Sequence, residues 1–583
     1  MLKLFRNMTR RDALYALVCV LLVVVQVWLE LTMPDYTQKL TASASAGSIT
    51  MGVVWKNGGM MLLCALGSLA GAICCGYFAS FIAADFARTL RSRLFEKVTG
   101  FSDAEFNHFS TPSLITRTTN DVVQMQMFIA MGLQVLVRAP IMAIWAVTKI
   151  SNTSVEWTMA AIITVVLIVV LCGSLVRICF PRFKKIQRLT DGLNDTAREN
   201  ISGVRVVRAF NAEEYQEEKF ARVNEDITRT QLFTGRTMGL MNPVMTVCMN
   251  GLTLAIYWIG AVLINRAALM DRAGVMGSMV AFTQYAMQIV MSFMMLTSIF
   301  IFLPRIMVSA QRINEVLQTE PVLKFNPQDA EKNCRKGRIE FENVSFAYHD
   351  AANPCLKDIS FTIEPGETFA IIGATGSGKT SLVNLLNRFY DASEGRILLD
   401  GTDIRSFSRG QLSSMVALAP QKAILFGGEI KTNLTYGTEE AISDEDPRIG
   451  RALAIAQADF VQELQDGIHA KVAQGGSNFS GGQKQRLSIA RAVFREAEIY
   501  IFDDTFSALD FRTDMRVRQA LKENLGDRTV IIVAQRIGTI MNADKILVLD
   551  DGNIAGIGTH KQLLENCPVY REIALSQLTE EEL

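Results

Sequence analysis

Net charge is the first thing this 583-residue sequence lacks, because 58 lysines and arginines balance 58 aspartates and glutamates. Without a basic excess there is no global field to attract nucleic acid, and no nucleic-acid partner is expected. Histidine is scarce: His108, His349, His469 and His560 are scattered and form no metal-binding spacing. Cysteine is present but lacks framework spacing. Cys19, Cys64, Cys74, Cys75, Cys172, Cys179 and Cys248 lie in or beside apolar runs, which argues against a disulfide scaffold. Cys74 and Cys75 are adjacent, unlike zinc-ligand pairs, and read as small buried apolar residues.

An even spread of polarity is also missing. The chain is 49% apolar and 20% charged, and its length exceeds one compact domain. It divides near Arg305 into an apolar half and a soluble half.

In the first half, residues 13–29, 57–84, 157–176, 237–265 and 275–304 carry no charge. Each is long enough to cross the roughly 30 Å hydrocarbon layer as a helix. A sixth span is interrupted by Arg138 and is placed at 138–150, extended downward by a cytosolic helix. The N-terminus has no small-residue cleavage site and further spans follow, so the first span is read as retained. Lys3, Arg6, Arg10 and Arg11 precede the first span; Arg88, Arg91, Arg93 and Lys97 follow the second. Arg177, Arg182, Lys184, Lys185 and Arg188 follow the fourth, and Arg305 and Arg312 the sixth. The basic bias makes these ends cytoplasmic. A multi-pass cell-membrane protein with both termini in the cytosol is expected.

Glu30 ends the first span, where a carboxylate suggests cation recognition, yet Pro34 and Asp35 bring it towards the outer headgroups. Arg138 is expected to snorkel or to line an inner cavity. Met241, Met245 and Met249, with Met287, Met291, Met294 and Met295, suit an adaptable apolar cavity; ordinary packing is the preferred reading. Small hydrophobic or amphipathic substrates and membrane lipid are the expected contacts.

In the second half, strand-like runs alternate with amphipathic helices, the pattern of a parallel α/β core. The run 368–372 leads into GATGSGKT, Gly373 to Thr380, and then a helix. This is a P-loop in the required strand, turn and helix context. Gly373, Gly376, Ser377 and Gly378 let backbone N–H groups approach phosphate, Lys379 reaches the β and γ phosphates, and Thr380 can ligate Mg2+, with Ser381 following. A second apolar strand delivers Asp503, suited to holding Mg2+, followed by Asp504; a third ends at Gln535. Ser480, Gly481, Gly482 and Gln483 open another helix, a second place where backbone N–H groups can meet an anion.

The P-loop and the FSGGQKQR turn together resemble the ATP-binding cassette (ABC) family, and the six spans resemble its exporter-type half-transporters. The resemblance covers nearly the whole chain. It implies a membrane α-helical domain over 1–320, with six transmembrane helices, long cytoplasmic extensions and two coupling loops. A linker at 321–337 and an α/β P-loop nucleotide-binding domain at 338–583 complete the expected organisation. ATP and Mg2+ are the implied cofactors. By resemblance Tyr348 stacks on adenine, Gln421 is the Q-loop residue and touches Mg2+, and Ser507 to Asp510 form the D-loop. Residues 113–122 and 200–214 look like the coupling segments.

In this family two nucleotide domains dimerise head to tail, so each ATP lies between one P-loop and the other chain's signature turn. The family usually has glutamate where this chain has Asp504, histidine at Gln535, and glutamate at Gln474. A shortened base and a switch side chain that carries no proton imply ATP binding with slow hydrolysis. An intact signature turn beside them implies a heterodimer with a second, homologous half-transporter. A chelate importer of the same fold, a regulatory subunit and a slow homodimer stay open as alternatives.

Overall fold

The computed structural model describes residues 10–151, 155–268, 271–326, 337–348, 351, 353–438, 440 and 442–579. Expectations resting on Lys3, Arg6, His349 and positions 327–336 of the linker lie outside the described residues, as do the side chains of Cys172, Lys184 and Pro304. The chain forms two compact units, one of Met1–Thr99 with Thr111–Thr319 and one of Gly100–Ser110 with Glu320–Leu583.

The apolar runs of the first unit form long helices because a bilayer leaves backbone groups no other partner. They are α1 (Arg10–Ser45), α2 (Met51–Thr99), α4 (Asn120–Ser151), α5 (Val155–Ser202), α7 (Met241–Arg266) and α8 (Arg272–Gln318). A short α3 (Asp103–Phe109) follows α2, and α6 (Glu213–Gly239) runs into α7. Among the described residues, six helical stretches are long and apolar enough to span a membrane.

The span placed at 138–150, with its helical extension, lies within α4 (Asn120–Ser151). Helix α4 continues through Arg138, and the charge is tolerated because it is paired. Arg138 Nη2 donates to both oxygens of Glu30 on α1, at 2.9 and 2.8 Å. Glu30 also accepts from Gln26 Nε2 at 3.1 Å and from Ser68 Oγ on α2 at 2.9 Å. Lys149 and Asp35 pair at 2.6 Å between the same two helices, so both basic partners come from α4 and both acidic ones from α1. Arg138 thus has an ion-pair partner, which the snorkelling expectation did not include.

Two further readings change. Cys75 is buried, but its neighbour Cys74 is exposed, since adjacent helical positions point about 100° apart. Met245 is buried, whereas Met287, Met291, Met294 and Met295 are 38–51% exposed in the single chain. Their spacing puts them on a face of α8 that Phe282, Tyr285 and Ile289 leave free by packing inward.

The second unit is built on two sheets. Strands β1 (Ile339–Phe346), β2 (Leu356–Ile363), β4 (Glu394–Leu399) and β5 (Thr402–Asp403) make an antiparallel sheet in the order β2-β1-β4-β5. The other sheet uses β3 (Thr368–Gly373), β6 (Val416–Ala419), β9 (Ile499–Asp503), β10 (Thr529–Val533), β11 (Lys545–Asp550) and β12 (Asn553–Gly558) in the order β12-β11-β3-β10-β9-β6. A two-strand ribbon pairs β7 (Gly428–Glu429) with β8 (Lys471–Val472). Strands β3, β10 and β9 are parallel neighbours, with Val533 in register with Ile371 on one side and Asp503 on the other. Their carboxyl ends therefore open onto one edge, where ligands of parallel α/β sheets sit. Every residue of β9 and β10 is buried, which explains their continuous apolar runs.

Candidate nucleotide site

The P-loop leaves β3 at Gly373 and enters α9 (Lys379–Leu386). Backbone geometry explains its glycines: a Cβ on Gly373 would lie 2.2 Å from the Leu549 carbonyl oxygen, and Gly376 and Gly378 have φ of +87° and +103°. A Cβ added at Gly376 meets nothing within 4 Å, so the loop encloses open space. Lys379 turns into that loop and donates to the carbonyls of Gly373 and Ala374 at 2.9 and 2.8 Å. Burial pulls its pKa down, while Asp504 and Asp503 work in the opposite direction. Ser377 is buried and its Oγ has no protein partner. A buried hydroxyl, a buried ammonium and an open glycine cradle fit phosphate.

Asp503 ends β9 and is 6% exposed. Burial first, then the adjacent Asp504 charge, pushes its carboxyl up to about 6, while Lys379 opposes the shift. Such a carboxylate gains from a bound cation, and an all-oxygen donor set of carboxylate and hydroxyl suits a hard ion such as Mg2+. Thr380 is exposed at the first turn of α9.

Asp504 leaves the strand with φ of +46°, and its N–H donates to the Val533 carbonyl at 2.9 Å. Its Oδ2 accepts from Gln421 Nε2 at 3.1 Å and from Gln535 Nε2 at 3.3 Å. Three residues separated by up to 114 positions thus meet at one carboxylate oxygen.

The Tyr348 hydroxyl lies 3.0 Å from Ser381 Oγ, and the Tyr348 ring stands edge-on to Tyr390 at 5.2 Å. Ser381 is buried, and its Oγ is shared between the Tyr348 hydroxyl and the Cys355 thiol, which donates to it at 3.6 Å.

Ser480 caps α10 (Gly481–Phe494): its Oγ accepts from Gln483 N at 3.3 Å, and its own N–H donates to Gln483 Oε1 at 2.9 Å. This reciprocal cap leaves Gly481 facing open space and the turn exposed. Asp510 caps α11 (Phe511–Asn524) by accepting from Thr513 N at 3.0 Å; the Thr513 hydrogen bonds hold its carboxyl below the usual range.

Residues 113–122 belong to the first unit, whereas Gly100–Ser110, which holds α3, belongs to the nucleotide unit. The signal for it was the Ser102-x-x-Glu105 capping-box spacing: Glu105 Oε2 accepts from Ser102 N at 2.6 Å. Of residues 200–214, Val204–Ala209 forms a helix with no buried residue.

The family model for the ABC transporter transmembrane region matches residues 14–299, and that for the ABC transporter domain matches 356–507. An uncharacterised ABC transporter ATP-binding protein of Mycobacterium tuberculosis strain H37Rv is 40% identical over 536 residues, 91% of this chain and 88% of that one. An ATP-dependent lipid A-core flippase of Hahella chejuensis is 31% identical over 516 residues, covering 88% and 86%. The structure of a bacterial Atm1-family ABC exporter with ATP bound superposes with a TM-score of 0.81 at 24% identity, covering 98% of this chain and 99% of that one. This chain belongs to the ABC transporter family: a multi-pass membrane protein of exporter-type fold whose ATPase domain is coupled to transport.

Proposed function

We propose that the chain is one half of a heterodimeric exporter of amphipathic, lipid-like molecules, whose own ATP site binds nucleotide and hydrolyses it slowly. The observation that carries this reading is the carboxylate of Asp504 tied to Gln421 and Gln535. A base in this position must accept a hydrogen bond from attacking water, and Oδ2 already accepts two amide hydrogens. Aspartate is also one methylene shorter than glutamate, and a misplacement of about 1 Å costs on the order of a hundredfold in rate. Gln535 neither takes nor returns a proton.

Binding has the groups it needs. Lys379 would exchange the Gly373 and Ala374 carbonyls for phosphate oxygens, joined by the backbone N–H groups at Gly376 and Gly378 and by the Ser377 hydroxyl. Tyr348 would stack on adenine. Asp503, Thr380 and Gln421 would hold Mg2+, which supplies charge neutralisation between the phosphates. Ser480, Gly481, Gly482 and Gln483 would close the partner chain's site, with Asp510 ordering the D-loop end. The boundaries 1–320, 321–337 and 338–583 remain our division of labour between spans, linker and ATPase, with both termini cytosolic.

The lipid-like substrate class is supported by the flippase relative and by the exposed methionines of α8, which can repack around varied apolar tails. The test is nucleotide trapping in the co-purified complex. ATP persisting at this chain's P-loop while the partner's site turns over supports the reading; equal turnover at both sites contradicts it.

A further inference from the structure

The nucleotide edge of the larger sheet lies at the carboxyl ends of β9 and β10, where Asp503 and Val533 are in register. A second pocket opens at the amino ends of the same strands. Arg528 immediately precedes β10 and stands five residues before Val533, about 17 Å along an extended chain. The pocket has a volume of about 420 Å³, and its lining includes Arg448, Arg451, Glu496, Tyr500, Asn524 and Arg528. About 60 Å³ of it can hold the centres of water-sized groups. One water needs about 10–15 Å³ by that measure, so a tetrahedral oxyanion has room.

Two of the three arginines have structural duties. Arg448 Nε donates to Asp446 Oδ1 and Oδ2 at 3.0 and 3.2 Å and its Nη2 to Oδ2 at 2.7 Å, with the Phe494 ring 5.2 Å from its Cζ. Arg451 Nη2 donates to the Asn524 carbonyl at the end of α11 at 3.1 Å, and its Nη1 stands 3.9 Å from Glu496 Oε1, beyond hydrogen-bond reach. Among the described residues, Nη1 of Arg448 and Nη1 of Arg451 therefore keep free hydrogens. Arg528 has no structural duty: its side chain is half-buried and makes no hydrogen bond or ion pair among the described residues. Tyr500 is 2% exposed; burial raises its phenol above the ordinary range, and the Arg528 and Arg451 charges oppose that shift, so both guanidiniums stand near its hydroxyl. A half-buried guanidinium without a partner has lost hydration and gained nothing in exchange, and its planar set of N–H donors matches an oxyanion.

We propose that this pocket is a second anion site of the ATPase unit, which takes a phosphate-type oxyanion on Arg528 with the free Nη1 groups of Arg448 and Arg451 as further donors. The anion would join the helix Pro447–Ile455 to the start of β10. Inorganic phosphate, the product that ATP hydrolysis releases, is one source of this chemistry; the terminal phosphate of a nucleotide is the other. Neither requires the P-loop of this chain to be slow.

The test is hydrogen–deuterium exchange on the full chain in nanodiscs, in the assembly in which it purifies, titrated with potassium phosphate against potassium chloride of equal ionic strength. Phosphate at about ten times its dissociation constant should slow exchange of residues 447–455 and 524–529 by about tenfold. Arg528→Gln removes the charge without breaking a contact and should lose this protection; Arg528→Lys keeps a point charge and should retain part of it. Protection by phosphate but not by Mg-ADP identifies the free anion as the ligand, protection by both identifies a nucleotide's terminal phosphate, and either supports the site. Equal protection by chloride, no protection up to about 50 mM phosphate, or an Arg528→Gln response equal to the parent's overturns the proposal. Protection of residues 373–380 by Mg-ATP reports on the P-loop in the same samples, so failure of the nucleotide reading is seen separately.

Discussion

Replacing Arg138 by leucine should destabilise the membrane unit by leaving the Glu30 carboxyl with only its two neutral hydrogen-bond partners, Gln26 and Ser68. In the intact chain Glu30 accepts four hydrogen bonds, two from Arg138 and one each from Gln26 and Ser68. Its side chain is 15% exposed and that of Arg138 is 31% exposed. Breaking a buried pair costs about 3–5 kcal/mol, and partial exposure brings the expected loss to about 2–3 kcal/mol. Glu30→Gln/Arg138→Leu removes both charges and should recover all but about 1 kcal/mol. All five tryptophans, Trp28, Trp55, Trp145, Trp157 and Trp258, lie in the membrane unit, so fluorescence during denaturant unfolding in bicelles reports on that unit. A loss below about 0.5 kcal/mol for Arg138→Leu, or strictly additive single and double substitutions, would refute the pairing as a stabilising contact.

Other outcomes follow from the nucleotide unit. With Asp503 at about 6, Mg2+-dependent ATP binding should weaken by about tenfold per pH unit below that value and level off above it, and Asp503→Asn should abolish the slope. The sign for stability is opposite: a carboxyl raised from 3.8 by folding contributes most at low pH, and this is lost as pH rises through about 6. Gly378→Ala would force a side chain to φ of +103° with its Cβ 2.6 Å from Leu356, and strain of about 1–3 kcal/mol should lower ATP affinity by on the order of tenfold in a filter-binding assay. Ser480→Ala removes the cap of α10 and should cost about 1 kcal/mol in thermal unfolding while leaving ATP binding at this chain's own P-loop unchanged.

Legibility in the sequence followed the range of the interactions. The P-loop is local: Gly373 to Thr380 carries its conformational demands within eight residues, and strand and helix flank it as the spacing requires. The five charge-free spans were legible for the same reason, since hydropathy alone decides whether a segment can sit in lipid. The Glu30–Arg138 pair spans 108 positions, so the third span looked interrupted until its partner was known. The tie between Gln421, Asp504 and Gln535 is equally non-local: each was picked out singly, but their shared oxygen depends on the order of β10, β9 and β6. Helix α3 was missed because seven residues give little periodicity, though its capping box was readable.

The central claim concerns the worth of Asp504 and Gln535, and steady-state ATPase of the co-purified complex in nanodiscs, with the partner's own P-loop lysine substituted so that only this chain's site can turn over, tests it most directly. The chain should bind ATP and turn it over slowly. Asp504→Glu/Gln535→His, restoring the longer carboxylate and a proton carrier, should raise kcat by on the order of a hundredfold with little change in KM. Rapid turnover by the unsubstituted chain, abolished by Asp504→Asn, would contradict the account.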